Sequence, residues 1–163
     1  MEEFFQEYKF IILPIGVCFF IQAFKVIFDL VKTKKFNFKR IMGAGGMPSS
    51  HSAVVTTLST MIGKEFGVES PMFAMSLIFA CIVMYDAAGV RRAAGKQAKL
   101  LNKIVETPGL TGVEVSERLV EVLGHTPMQV VVGALIGIIV VLISWHKWKI
   151  IVKYNCMLNS NYK

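Results

Sequence analysis

The sequence predicts an all-α integral membrane protein with about four transmembrane helices and an amphipathic helix between the third and fourth. Three observations predict it. Hydrophobic residues make up 54% of the 163-residue chain and charged residues only 18%, where soluble domains carry roughly a quarter charged residues. The apolar residues fall in blocks long enough, or nearly so, for a hydrocarbon core that takes about 20 helical residues. Most of the Lys and Arg flank those blocks rather than interrupting them, as charges do beside membrane helices. The length suits a single membrane domain spanning residues 1–163.

The first block runs from about Phe10 to Val31. The acidic MEEFFQEYK before it lacks the basic start and small-residue cleavage site of a signal peptide, so this block is expected to remain as a helix. The second, from about Ser49 to Ile62, is short and rich in hydroxyls. Pro48 precedes it, and Ser49 or Ser50 can serve as its N-cap. The third runs from about Pro71 to Val90 and the fourth from about Pro127 to Trp145. Ser70-Pro71 and Thr126-Pro127 each set a capping hydroxyl before a proline at the first helical position. Gly133 and Gly137 give the fourth block a small-residue face suited to close helix contact. Ser52, Thr56, Ser59 and Thr60 give the second block a comparable one.

Two longer connections join the blocks. Residues 32–47 carry Lys32, Lys34, Lys35, Lys39 and Arg40 ahead of Gly43-Ala44-Gly45-Gly46. Residues 91–125 open with Arg92, Lys96, Lys99 and Lys103 at i, i+4, i+7 and i+11, an amphipathic pattern. That helix either lies at headgroup level or extends the third span. Thr107-Pro108-Gly109 stops it, and a second amphipathic stretch runs from Glu114 to Leu123. Four crossings put both connections on one side, and their basic content places that side in the cytoplasm of a multi-pass cell-membrane protein. The basic tail, 147–163, falls on the opposite side and fits this rule poorly. A net charge of +7 and pI near 9.4 suit nucleic acid in a soluble protein, but no aromatic–basic pattern accompanies the charge, so no nucleic acid is expected. Cys18, Cys81 and Cys156 match no metal spacing, and their odd number does not suit a disulfide framework.

Polar clusters sit at three block ends: Met47-Pro48-Ser49-Ser50-His51-Ser52, Tyr85-Asp86-Ala87-Ala88-Gly89-Val90-Arg91-Arg92, and Gly124-His125-Thr126-Pro127. Successive spans alternate direction, so the opening of the second, the close of the third and the opening of the fourth meet at one face. Two helix N-termini there attract anions. Arg91 and Arg92 carry planar forks that match phosphate oxygens. His51 and His125 can divide nucleophile and acid near neutral pH, and Asp86 is expected to pair with an arginine. Taken singly, the arginines suit a basic anchor and each histidine an interfacial or loop residue. Their convergence favours a phosphate site.

These residues resemble the type 2 phosphatidic-acid phosphatases, which are related to vanadium haloperoxidases. Pro48-Ser49-Ser50-His51 is similar to that family's Pro-Ser-Gly-His, and Gly124-His125-Thr126-Pro127-Met128-Gln129 to its Gly-x-His-x-Pro-x-Asp. From Gly45 to Asn102, GGMPSSHSA and YDAAGVRRAAGKQAKLLN resemble the divergent bacterial and plastid branch more closely. The likeness covers about Gln22 to Ile138. It implies a phosphohistidine formed on His125, with His51 protonating the leaving oxygen. It further implies that Arg91, Arg92, Lys96 and Arg40 hold phosphate oxygens and that Ser49 and Ser50 donate hydrogen bonds to them. Neither metal nor other cofactor is implied.

The chain departs from that pattern in several places. Gln129 stands where the parent family has an aspartate; an amide can orient the imidazole but cannot stabilise its charge. Glu121, one turn before His125 if the segment is helical, is the substitute carboxylate. Lys32 and Lys39 have the spacing of the parent's first motif, but Lys39 replaces its arginine and no proline follows. Leu119 and Val120 fill the places of a Ser-Arg pair. There are also fewer spans than the parent's six, which a homodimer through Gly133 and Gly137 could offset. The expected activity is metal-independent hydrolysis of a lipid phosphate or polyprenyl diphosphate. The alternative is a non-catalytic protein that binds or moves lipid phosphates on the same face.

Overall fold

A computed structural model describes residues 4, 7–34, 46–107, 119–121 and 124–160, the helical side chains at 32–33 and 147–160 excepted. Its elements are helices: α1 (Lys9–Thr33), α2 (Ser50–Phe66), α3 (Pro71–Ala88), α4 (Val90–Val105) and α5 (Pro127–Ser160). By length and composition, three helices can cross a membrane: Lys9–Val31, Pro71–Val105 and Pro127–His146. The protein is thus an all-α, multi-pass integral membrane protein.

α2 has 17 residues, about 26 Å of helix, and is not among those three. It is the central helix, packed against α1, α3 and α5. Its hydroxyls are therefore buried against protein, with Ser52, Thr56, Thr57 and Ser59 all inside. The Ser49 side chain caps it by accepting from the Ser52 N–H at 3.3 Å, and Gly67 (φ 87°) ends it.

Close approach of α2 and α5 depends on glycine. A Cβ on Gly133 would collide with the Ser49 carbonyl, and one on Gly137 would strike Thr56 and the Ala53 carbonyl. The Thr56 hydroxyl reaches the Ala134 carbonyl at 3.1 Å and the Thr57 hydroxyl the Gly137 carbonyl at 3.4 Å. α2 and α5 thus run parallel and in register. This corrects one expectation: the glycine face proposed for a homodimer is filled by α2 of the same chain.

α1 runs antiparallel to α2. Val17 and Ile21 meet Ala53, with Ile136 and Val140 of α5 closing the core. At the far end Lys9 pairs with Glu65 at 2.8 Å and lies over the Trp145 ring at 5.5 Å, an arrangement suited to a membrane–water boundary. Ser70 caps α3 by accepting from the Phe73 N–H at 3.2 Å, with Pro71 at its first turn. Ser76 of α3 donates to Ser59 of α2 at 3.2 Å.

Only Gly89 separates α3 from α4, so the amphipathic helix extends the third span, one of the two forms expected. Lys96, Lys99 and Lys103 on it are exposed, while Gly95, Ala98 and Asn102 are buried. α5 continues to Ser160, well beyond the expected end near Trp145, so the tail prolongs the last span as helix. Arg40 and nearly all of the second amphipathic stretch, 114–123, lie outside the described residues; residues 119–121 are not helical.

Candidate functional site

The start of α2, the end of α3 and the segment before α5 meet through their backbones. Ser49 N–H donates to the Gln129 carbonyl at 3.0 Å, and His125 N–H donates to the Ala87 carbonyl at 2.9 Å. Gly124 has φ 83°, and a Cβ there would collide with the backbone of Arg91 and Arg92. Glycine is thus required at 124 both for its left-handed backbone and for the close approach. These contacts set the His51 and His125 rings with centroids 6.1 Å apart.

His125 is 3% exposed. Thr126 and Gln129 form a reciprocal cap at the start of α5. Gln129 N–H donates to the Thr126 hydroxyl at 3.3 Å, and Thr126 N–H donates to Gln129 Oε1 at 3.0 Å. A backbone N–H can meet only the amide oxygen, which fixes the orientation of the Gln129 side chain. The same Oε1 lies 3.4 Å from His125 Nδ1. That contact favours a hydrogen on Nδ1 and leaves the lone pair on Nε2. Burial lowers the His125 pKa from its ordinary value of 6.5, and the Lys25 and His51 charges push the same way. Gln129 and the Gly46 backbone oppose them without reversing the direction.

Lys25, which the sequence reading passed over, joins this cluster. It lies in α1, only 7% exposed, with its stem beside Gly46, where an added Cβ would stand 3.9 Å from Cδ. Its charge bears on both histidines. A signal was available: Gln22, Lys25 and Asp29 recur at helical spacing inside the first apolar block, and an ionisable residue within a membrane segment marks function by default.

Arg91 Nε donates to Asp86 Oδ2 at 2.6 Å across the Gly89 break, the pairing expected of Asp86. Both charges bear on His51. The ion pair is substantially exposed, so its value lies in holding the Arg91 fork beside His51 rather than in stability. Ser49 is fully buried and serves as the α2 cap, also accepting from the Ser52 hydroxyl at 3.0 Å. Ser50 is half-buried in the first turn of α2, where the Ser50 and His51 N–H groups have no intrahelical partner.

The remaining predicted residues are placed differently. Arg92 and Lys96 are exposed on α4, and no described contact joins either side chain to an imidazole. Glu121 accepts from Asn102 Nδ2 at 3.0 Å. Asn102 also donates to the Leu119 carbonyl at 2.9 Å and accepts from the Leu119 N–H at 3.0 Å. Glu121 therefore ties the incoming segment to α4 rather than backing His125, because residues 119–121 do not form the helical turn that would aim it there. Among the described residues, no group of three His, Cys, Asp or Glu side chains is placed to hold a metal ion.

A buried imidazole with an orientable lone pair, a second imidazole beside it, a buried ammonium and an arginine fork can together grip a tetrahedral oxyanion. The family described as the divergent PAP2 family matches residues 6–140. An uncharacterized membrane protein of Bacillus subtilis (strain 168), YuiD, is 42% identical over 135 residues, covering 76% of this chain and 85% of its own length. No solved structure matches.

Proposed function

The chain belongs to the divergent PAP2 family, and from that premise we propose that it is a membrane phosphatase acting on a lipid phosphate or polyprenyl diphosphate through a phosphohistidine. One observation carries the reading: two imidazoles 6.1 Å apart beside a buried lysine. His125 Nε2 attacks phosphorus, and the bond from phosphorus to the lipid oxygen breaks. His51 gives a proton to that leaving oxygen, the charge of the bound phosphate offsetting the burial and the Arg91 and Lys25 charges that lower its pKa. Water then attacks the phosphohistidine, its proton returns to His51, and inorganic phosphate leaves. Lys25 and the Arg91 fork balance the oxyanion charge as it develops, and the first N–H groups of α2 add hydrogen bonds. The basic connections support a cytoplasmic position for this face of the membrane.

Purified protein is expected to release inorganic phosphate from such lipids without added metal. His125→Ala should abolish release, and vanadate should inhibit it by occupying the histidine site. Full release by His125→Ala would overturn the nucleophile assignment. Gln129 supports a second reading, in which the site binds or moves lipid phosphates without cleaving them, since an amide cannot balance an imidazolium charge. That reading expects lipid-phosphate binding to survive His125→Ala and fail in Lys25→Met.

A further inference from the structure

Beside the site, α1 and α5 leave an apolar groove with a cavity of about 550 Å³. Phe20, Phe24 and Phe28 of α1 line it with Val132 and Ile136 of α5, and Pro48, three residues before His51, completes the lining. The phenylalanines recur every fourth residue and form a ridge along α1; the Phe24 and Phe28 rings stack at 6.3 Å. All three are more than half exposed, so the groove opens sideways toward lipid. Two features join it to the site. Pro48 is followed directly by Ser49-Ser50-His51. Lys25, placed between Phe24 and Phe28 in sequence, turns inward beside Gly46, so one stretch of α1 faces hydrocarbon on one side and the histidine pair on the other.

We propose that this groove holds the hydrocarbon chain of a phosphate-headed lipid that enters from the bilayer, with its phosphate at Lys25, His51 and His125. The inference rests on the phosphate-site reading above. Moving a chain from bilayer to groove gains no hydrophobic free energy, because lipid tails are as apolar as leucine. The groove therefore acts by shape: it holds the chain so that the head group arrives at the imidazoles, while the cations select for phosphate. Another apolar cavity, of about 300 Å³ and lined by Lys9 and Trp145, cannot share this task. Lys9 lies sixteen residues before Lys25 on α1, about 24 Å along the helix.

The test uses the full chain in nanodiscs containing a trace of lipid monophosphate with a photoactivatable diazirine in mid-chain, and in parallel the uncharged lipid lacking its phosphate. The phosphate lipid should label residues 20–28 and 132–136 several-fold more than the lipid-facing residues 72–82 of α3, and the uncharged lipid should show no such preference. Val132→Trp, which fills the groove, should remove the preference with its thermal midpoint essentially unchanged. Equal labelling of α3 and the groove by the phosphate lipid, or a preference shared by the uncharged lipid, overturns the proposal without recourse to any variant. Phosphate release is measured in the same discs. Release without groove preference overturns the groove and leaves the phosphatase standing; groove preference without release does the reverse.

Discussion

Gln129→Glu tests the chemistry of the site with almost no change in shape. The Gln129 oxygen already accepts from the Thr126 N–H at 3.0 Å and lies 3.4 Å from His125 Nδ1. A carboxylate of equal length keeps both contacts. Glutamate is also favoured three residues after a threonine cap and near a helix N-terminus. At 3.4 Å the bare attraction between carboxylate and imidazolium is roughly 5 kcal/mol at an effective dielectric of about 20. Desolvation of the carboxylate at this half-buried position takes back much of that. Opposite charges at such range move a pKa by about 1–3 units, and the lower end, about 1.4 kcal/mol, is the expectation here. The His125 midpoint should therefore rise by about one unit, and phosphate release at saturating lipid should increase about ten-fold on the alkaline side of that midpoint. The acid limb of the rate should move up in pH by the same amount, because the nucleophile must be neutral. The assays are NMR titration of ring-labelled histidine and phosphate release across pH. A raised midpoint with an unchanged or lower rate at every pH would refute the idea that ring charge on His125 builds up in the transition state.

The depressed pKa of His125 has a sign that can be checked. A base whose folded pKa lies below its unfolded value leaves the unfolded chain binding more protons, so stability is full above about pH 6.5 and falls as pH drops below it. The loss levels off only below the folded pKa. Thermal midpoints in detergent should show this decline, and His125→Gln should flatten it. Gly133→Ala drives a methyl into the Ser49 carbonyl and should cost about 1–3 kcal/mol, the usual range for overpacking, with loss of vanadate inhibition because Ser49 leads into His51. Gly16→Ala, where an added Cβ meets nothing within 4 Å, is the control and should leave the thermal midpoint level or higher. Asn102→Ala should lower the rate of phosphate release several-fold more than it lowers lipid affinity, because Asn102 holds the segment that carries His125; Asn102→Asp, which can keep accepting from Leu119 N–H, should restore part of it.

Much of the fold was legible because a bilayer enforces simple rules. Ser70-Pro71 and Thr126-Pro127 marked the starts of α3 and α5, which begin at Pro71 and Pro127. Counting reversals brought the ends of α2, α3 and α5 to one face, where Ser49 bonds Gln129 and His125 bonds Ala87. The end of α5 was harder to read, because hydropathy reports where hydrocarbon ends and helix hydrogen bonding can continue past it. The role of Gly133 and Gly137 was also undetermined. A small-residue face states that a helix comes close but not whose helix it is, and α2 of the same chain takes the place considered for a second copy.

The site divided along the same line. Residues beside a helix start or stop were legible as one cluster, since His51, His125, Gln129, Asp86 and Arg91 all announce themselves through proline, glycine or charge. Lys25 was hidden within an apolar run, whereas Lys32 and Lys39 stand out by sharing the spacing of a family motif. Lys9 pairs with Glu65 at the far end of the bundle, and about 24 Å of helix from Lys9 brings α1 to Lys25. Lys32 lies seven residues beyond Lys25, about 10 Å further along the helix axis. Lys25 is 7% exposed and its charge lowers the His125 pKa, which makes Lys25→Met the variant in which loss of lipid-phosphate affinity and a rise in the His125 midpoint should appear together.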